Sequence, residues 1–245
     1  MRKWEDLPAE MQNEEVRYYY DILCKKSFSL GLKRVFDIVV SAIMLVCLSW
    51  LFLILAIAIK IDSPGPVFYR QERVTRYGKK FKIHKFRTMV NNEDKKGTLV
   101  TVKNDSRVTR VGQLIRKCRL DEVSQLIDVF EGSMSFVGTR PEVQKFVDFY
   151  SPEMMATLLL PAGVTSEASI LYKDEDRLLD RADDVDKVYV EKVLPGKMYY
   201  NLKSIEKFNF FSDIHTMIKT VLAVSGKDYP ADLDGELKFA RTLKK

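Results

Sequence analysis

IVVSAIMLVCLSWLFLILAIAI, residues 38–59, runs for about 22 residues without a charge. As one helix it is long enough to cross the hydrocarbon core of a bilayer. It begins well inside the chain, exceeds the length of a leader's apolar region and is followed by SPGPVF rather than by a small-residue cleavage site, so it is expected to stay in the mature protein. The charges around it say more than its length. Lys25, Lys26, Lys33 and Arg34 precede it, and Lys60, Arg70, Arg73, Arg76, Lys79 and Lys80 follow. Basic residues favour the cytoplasmic side, so both flanks are drawn to one face. Two geometries stay open. A straight helix crosses and leaves one flank misplaced; a bent, re-entrant helix returns both flanks to the cytoplasm if the backbone groups freed at its turn find partners. The hydroxyl of Ser49, near the middle, is placed to bond such a carbonyl.

Outside this stretch the chain reads as α+β. Of 245 residues, 46% are hydrophobic and 30% charged, which suits one compact unit or one domain plus an anchor and argues against a fusion of two enzymes. The net charge of +6 calls for an anionic partner: phospholipid headgroups, phosphorylated substrates or nucleic acid. Cys24, Cys47 and Cys118 are odd in number and lack paired spacing, so neither a disulfide framework nor a thiolate metal site is indicated, and a reducing, cytoplasm-facing compartment fits.

Pro64-Gly65-Pro66 ends the apolar helix, and PVFYRQERV and KKFKIHKFRTM flank Arg76-Tyr77-Gly78 as a β-hairpin with a heavy basic load. Its side chains two apart share a face, so Lys85 and Arg87 are expected together and His84 on the other side. From Arg107 to Phe130 apolar residues recur at helical spacing with a break at Arg119 to Asp121, which predicts two short helices. Beyond Pro141 the chain reads as mainly helical. Asn209 to Val224 carries an apolar face of Phe210, Phe211, Ile214, Met217, Ile218, Val221 and Leu222 that suits either a core or a lipid surface. DRADDVDKVYVEK, residues 180–192, is charged enough for a solvated loop or helix start.

The order KRVFDIVV, apolar run, SPGPVFYRQERV, KFKIHKFRTM, LIRKCRLDEVSQLIDVFEGSMSFVGTRP and LLLPAGVTS resembles the bacterial sugar transferases, the monotopic phosphoglycosyl transferases that initiate lipid-linked glycan assembly. The likeness covers about Lys33 to Ser169 and weakens toward Val224. It implies residues 1–32 as an N-terminal helical or interfacial segment, 33–62 as a re-entrant membrane helix and 63–245 as a catalytic domain on the cytoplasmic face of the bacterial inner membrane. It further implies a UDP-sugar donor, an undecaprenyl phosphate acceptor and a magnesium ion. In that reading Asp121 attacks the sugar-linked phosphate, UMP leaves, and Glu122 and Mg2+ complete the site.

The residues suit such chemistry. A carboxylate reaches an anionic phosphorus only where cations offset the repulsion. Asp121, expected at a helix start, would gain from the positive end of that helix, and adjacent Asp121 and Glu122 match the preference of Mg2+ for a few carboxylates plus phosphate oxygens. The competing reading is ordinary capping by acidic residues of a first turn. Lys85, Arg87, Arg116 and Arg140 match basic motif positions of the family, and guanidinium can grip phosphate as a fork. His84 and His215 receive no role.

The sequence departs from the family's pattern at several points. Trp50 follows Ser49 where a proline is common; Thr139, Asp128 and Ser133 stand where proline, asparagine and an acidic residue are frequent; and GVTSEASILYKDEDRLL follows another branch of the family. Two rival classes remain: an inactive membrane scaffold of the same fold, against which the intact Asp121, Glu122, Lys85 and Arg140 argue, and a basic nucleic-acid binder, for which no recognition helix or zinc site is present. No nucleic-acid partner is expected, and a homo-oligomer is compatible with the sequence.

Overall fold

The computed structural model describes residues 1–90, 107–173 and 184–243. Helix α1 (Glu14–Cys24) is capped by the Asn13 side chain. It leads into α2 (Ser27–Cys47), α3 (Ser49–Asp62), β1 (Phe68–Val74) and β2 (Lys80–Phe86). Then follow α4 (Arg110–Lys117), α5 (Gln125–Glu131), β3 (Met134–Val137), α6 (Gln144–Val147), β4 (Ala162–Thr165) and α7 (Glu167–Leu171). A short α8 (Val185–Val188) runs through a π turn into α9 (Leu194–Glu206), and α10 (Phe210–Val224) and α11 (Leu233–Thr242) close the order. The charged run that starts at Asp180 thus enters α8, its first four residues lying outside the described part.

The expected hairpin forms. β1 and β2 pair antiparallel from Phe68↔Phe86 to Val74↔Lys80, closed by a turn in which Tyr77 and Gly78 both have positive φ. A second two-stranded sheet joins β3 and β4 in parallel, Met134↔Ala162 through Val137↔Thr165. These two strands meet at glycines: a Cβ on Gly163 would lie 2.2 Å from the Gly138 nitrogen, so only glycine permits the approach.

No single helix among the described residues is long and apolar enough to cross a membrane, but α2 and α3 pass together, bent by 61° at Leu48. The break falls one residue before Ser49, which opens α3. Ser49 makes no side-chain hydrogen bond among the described residues; the hydroxyl that bonds a helix carbonyl here is that of Ser41, to Asp37 at 2.5 Å. Packing holds the bend instead. Leu55 and Ile59 of α3 are buried with Phe86 and Ile115, and the rings of Phe52 and Phe86 lie 5.2 Å apart. On α2, the buried Lys33 pairs with Asp213 at 2.5 Å and donates to the Val137 carbonyl at 2.7 Å. Asp37 accepts from the Phe136 N–H, and Arg34 donates to the Val129 and Phe130 carbonyls at the end of α5. The cation there meets carbonyls that have no partner within the helix. The opposite faces stay apolar and open: Val46 is 74% exposed and Ile61 82%.

Six of the first 23 residues, Leu7, Met11, Val16, Tyr19, Tyr20 and Leu23, are buried in the core. Met11, Val16 and Leu23 are fully buried in one cluster with Leu159, Leu202 and Phe208. α1 therefore packs on the rest of the chain instead of standing apart as a surface segment.

Candidate active site

Between α4 and α5 the chain makes a single 3-10 turn, Leu120–Glu122, entered through Arg119 in the left-handed region at φ 53°. A non-glycine residue seldom adopts that conformation. The break expected between two helices is there, yet Asp121 does not open the second helix, because α5 begins at Gln125. The stabilising charge on Asp121 comes from a side chain, not from a helix end. Lys85 Nζ, from β2, lies 2.9 Å from Asp121 Oδ2 and 3.4 Å from Glu122 Oε1. Arg140 donates through both terminal nitrogens to the two oxygens of Glu122. Asp121 is buried, Glu122 partly so. Burial alone would raise the Glu122 carboxyl, but the charges of Arg140 and Lys85 and their hydrogen bonds outweigh it and bring the pKa down to about 2.

Arg140 is held by its backbone neighbours. Gly163 N–H donates to Thr139 O at 2.8 Å, Val74 N–H to Glu142 O at 2.9 Å, and Arg73 to Pro141 O at 3.2 Å. The Thr139–Glu142 stretch is thereby clamped between β1 and β4, which fixes where the guanidinium starts. Arg116, on the last turn of α4, is partly buried in a helix that leads into the Asp121 turn.

Arg87 departs from the sequence expectation of a face shared with Lys85. β2 ends at Phe86, and the Arg87 guanidinium turns to the carbonyl end of α3. It donates to Ser63 O at 2.6 Å, Ser63 Oγ at 2.9 Å and Pro64 O at 2.8 Å. With a further contact to Ile59 O in the last turn of α3 at 3.4 Å, these carbonyls just past the helix end hold Arg87 away from the carboxylates.

His84 and Asp128 make a link that sequence reading missed. Arg70 offers only donors and lies 2.6 Å from His84 Nε2, so that nitrogen accepts and Nδ1 carries the proton. Nδ1–H donates to Asp128 Oδ1 at 2.9 Å, while the His84 backbone N–H donates to Asp128 Oδ2 at 2.8 Å. Ser124 Oγ donates to His84 O at 3.0 Å and lies 3.3 Å from Asp121 O. The residue preceding Lys85 is thus clamped to Ser124 and Asp128, which follow the turn that carries Asp121. The only sequence signal was Asp128 in place of the family's asparagine.

Asp121 and Glu122 set two carboxylates side by side, the donor type a magnesium ion takes together with phosphate oxygens and water, but in this structure Lys85 and Arg140 occupy their oxygens. The one cluster of three among the described residues close enough to share an ion is His84, Asp128 and Glu131. There His84 and Asp128 bond each other, and the Arg70 guanidinium disfavours a further cation.

The model of the bacterial sugar transferase family matches residues 28–227, and the chain belongs to that family. It is 34% identical over 196 residues to the UDP-N-acetylgalactosamine-undecaprenyl-phosphate N-acetylgalactosaminephosphotransferase of Aeromonas hydrophila, covering 79% of this chain and 43% of that protein. It is 40% identical over 141 residues to the UDP-glucose:undecaprenyl-phosphate glucose-1-phosphate transferase of Caulobacter vibrioides, covering 56% and 53%. With the undecaprenyl-phosphate galactose phosphotransferase of Salmonella typhimurium the identity is 34% over 221 residues, covering 84% and 43%. The chain spans about half the length of these curated relatives, whose names specify three different sugars.

Proposed function

We propose that the protein is a phosphoglycosyl transferase that moves sugar-1-phosphate from a UDP-sugar to undecaprenyl phosphate. The observation that carries this reading is the convergence of Lys85 and Arg140 on Asp121 and Glu122 in a chain of this family. Asp121 Oδ attacks the sugar-bearing phosphorus; the P–O bond to the uridylyl group breaks, UMP leaves with that electron pair, and an aspartyl-phosphosugar remains. A phosphate oxygen of the lipid then attacks the same phosphorus and frees Asp121.

The four side chains carry two positive and two negative charges, so they balance one another before substrate arrives. A pyrophosphate adds negative charge. Lys85 and Arg140 are placed to shift part of their bonding from the carboxylates to it. Mg2+ held by Asp121 and Glu122 would supply the remaining compensation. Glu122, ionised down to about pH 2, serves as a fixed anion that orients Arg140, not as a proton donor.

The bent α2–α3 pair, basic at both ends and apolar on its open faces, fits a re-entrant anchor in the inner membrane with the site on the cytoplasmic face. There a soluble nucleotide sugar and a lipid phosphate can meet. UMP release from a panel of UDP-sugars, with undecaprenyl phosphate and Mg2+, tests the proposal. Release with one or more sugars, lost in Asp121→Asn, supports it; no release from any sugar opposes it.

A further inference from the structure

A cavity of about 170 Å³ lies beneath α10, away from the carboxylate pair. Thr139 lines it, but Lys85, Asp121, Glu122 and Arg140 do not. Helix α10 is inverted relative to a helix on a soluble surface. Ser212, Thr216 and Lys219, spaced to share one face, turn inward to the cavity. Phe211 is 77% exposed, and Ile218, Val221 and Leu222 are exposed with it on the outside.

The Asn201 side chain reaches the cavity from α9 with only 5% of its surface exposed. Among the described residues its one side-chain hydrogen-bond contact is a 4.0 Å approach of Nδ2 to the sulfur of Met198. A buried amide left with so weak a partner is costly unless a ligand or water completes it. Among the cations on the lining, Lys33 and Lys219 are paired with acids and Lys203 with Asp232. Lys207 has no ion-pair partner among the described residues and is exposed at the rim.

We propose that this cavity is a second anion site, separate from the carboxylate pair, in which Asn201 and Lys207 hold the phosphate group of a ligand. Two sources share that chemistry. An anionic lipid headgroup would enter from the side on which α10 exposes its apolar face, a route that rests on the membrane reading above; a free nucleotide would enter from water.

Native mass spectrometry of the detergent-purified full chain, titrated separately with inorganic phosphate, UMP and short-chain phosphatidic acid, tests this. At least one probe should bind saturably. Lys207→Gln and Asn201→Leu should each weaken that binding about tenfold, the scale of one lost charge-assisted hydrogen bond, and Arg140→Ala, which acts at the carboxylate pair, should leave this Lys207-sensitive binding unchanged. Preference for phosphatidic acid assigns the site to lipid, and preference for UMP assigns it to nucleotide. The proposal is overturned if no probe saturates, or if every saturable binding is insensitive to Lys207→Gln. Lys207 is exposed, so its variant remains informative if Asn201→Leu fails to fold. Neither result bears on whether Asp121 is the nucleophile.

Discussion

Lys85 Nζ stands 2.9 Å from Asp121 Oδ2 and 3.4 Å from Glu122 Oε1, so one ammonium group bridges two neighbouring carboxylates. Without it their repulsion would fall on a buried aspartate. Lys85→Ala is expected to lower the first half-reaction by about 10²-fold, read as UMP release in a single turnover. Full rate in the variant would return Lys85 to the surface charges.

Arg140→Lys keeps the charge of Arg140 and loses its two-pronged grip on Glu122. Partial rescue relative to Arg140→Ala is expected, because lysine cannot reproduce the planar fork. Equal rates in the two variants would show that geometry at this position is irrelevant.

The low pKa of Glu122 carries a pH signature. A carboxyl depressed from 4.5 to about 2 contributes stability that is complete above pH 4.5 and is lost as pH falls through its folded value. The difference in Tm between wild type and Glu122→Gln should therefore hold from neutral pH to about 4.5 and shrink toward pH 2. A difference independent of pH would contradict the assigned ion pair.

Asp128 is buried, which raises its pKa against the lowering effect of its bonds to His84. Asp128→Ala leaves a buried imidazole and a backbone N–H without their acceptor, at a cost of about 1–3 kcal/mol. Asp128→Asn can still accept from the backbone N–H and should lose less. Chemical denaturation orders the three proteins, and a reversed order would remove the clamp on the Lys85 strand.

How far these features can be seen in the sequence depends on the range of the interactions behind them. The hairpin is local, written in its turn residues. So is the start of α10, where Asn209 and Ser212 form a reciprocal cap. The charges flanking the apolar stretch leave a straight and a bent helix both open; the bend at Leu48 accompanies packing of Leu55 and Ile59 on β2 and α4. Asp121, Glu122, Lys85 and Arg140 come together as motif order implies. Arg87 does not join them, since alternation along a strand says nothing once the strand has ended. The His84–Asp128 bond spans 44 residues and the burial of Met11 in one cluster with Leu159 more than half of the chain; no local pattern encodes either.

Both flanks of the α2–α3 pair should lie on one side of the membrane. Cys118 is exposed, so a variant retaining it alone, and another carrying only Lys3→Cys, can be treated in intact cells with a membrane-impermeant thiol reagent. Protection of both until lysis is expected; labelling of Lys3→Cys alone before lysis would show a crossing helix.

The central claim is that Asp121 carries the phosphosugar. Purified protein incubated with Mg2+ and its UDP-sugar, but without lipid acceptor, should release one equivalent of UMP at most. Peptide mass spectrometry should then find a hexose-phosphate or N-acetylhexosamine-phosphate adduct on Asp121, removed by undecaprenyl phosphate and missing in Asp121→Asn. UMP formed only when the lipid is present, with no adduct at any stage, would contradict the covalent route.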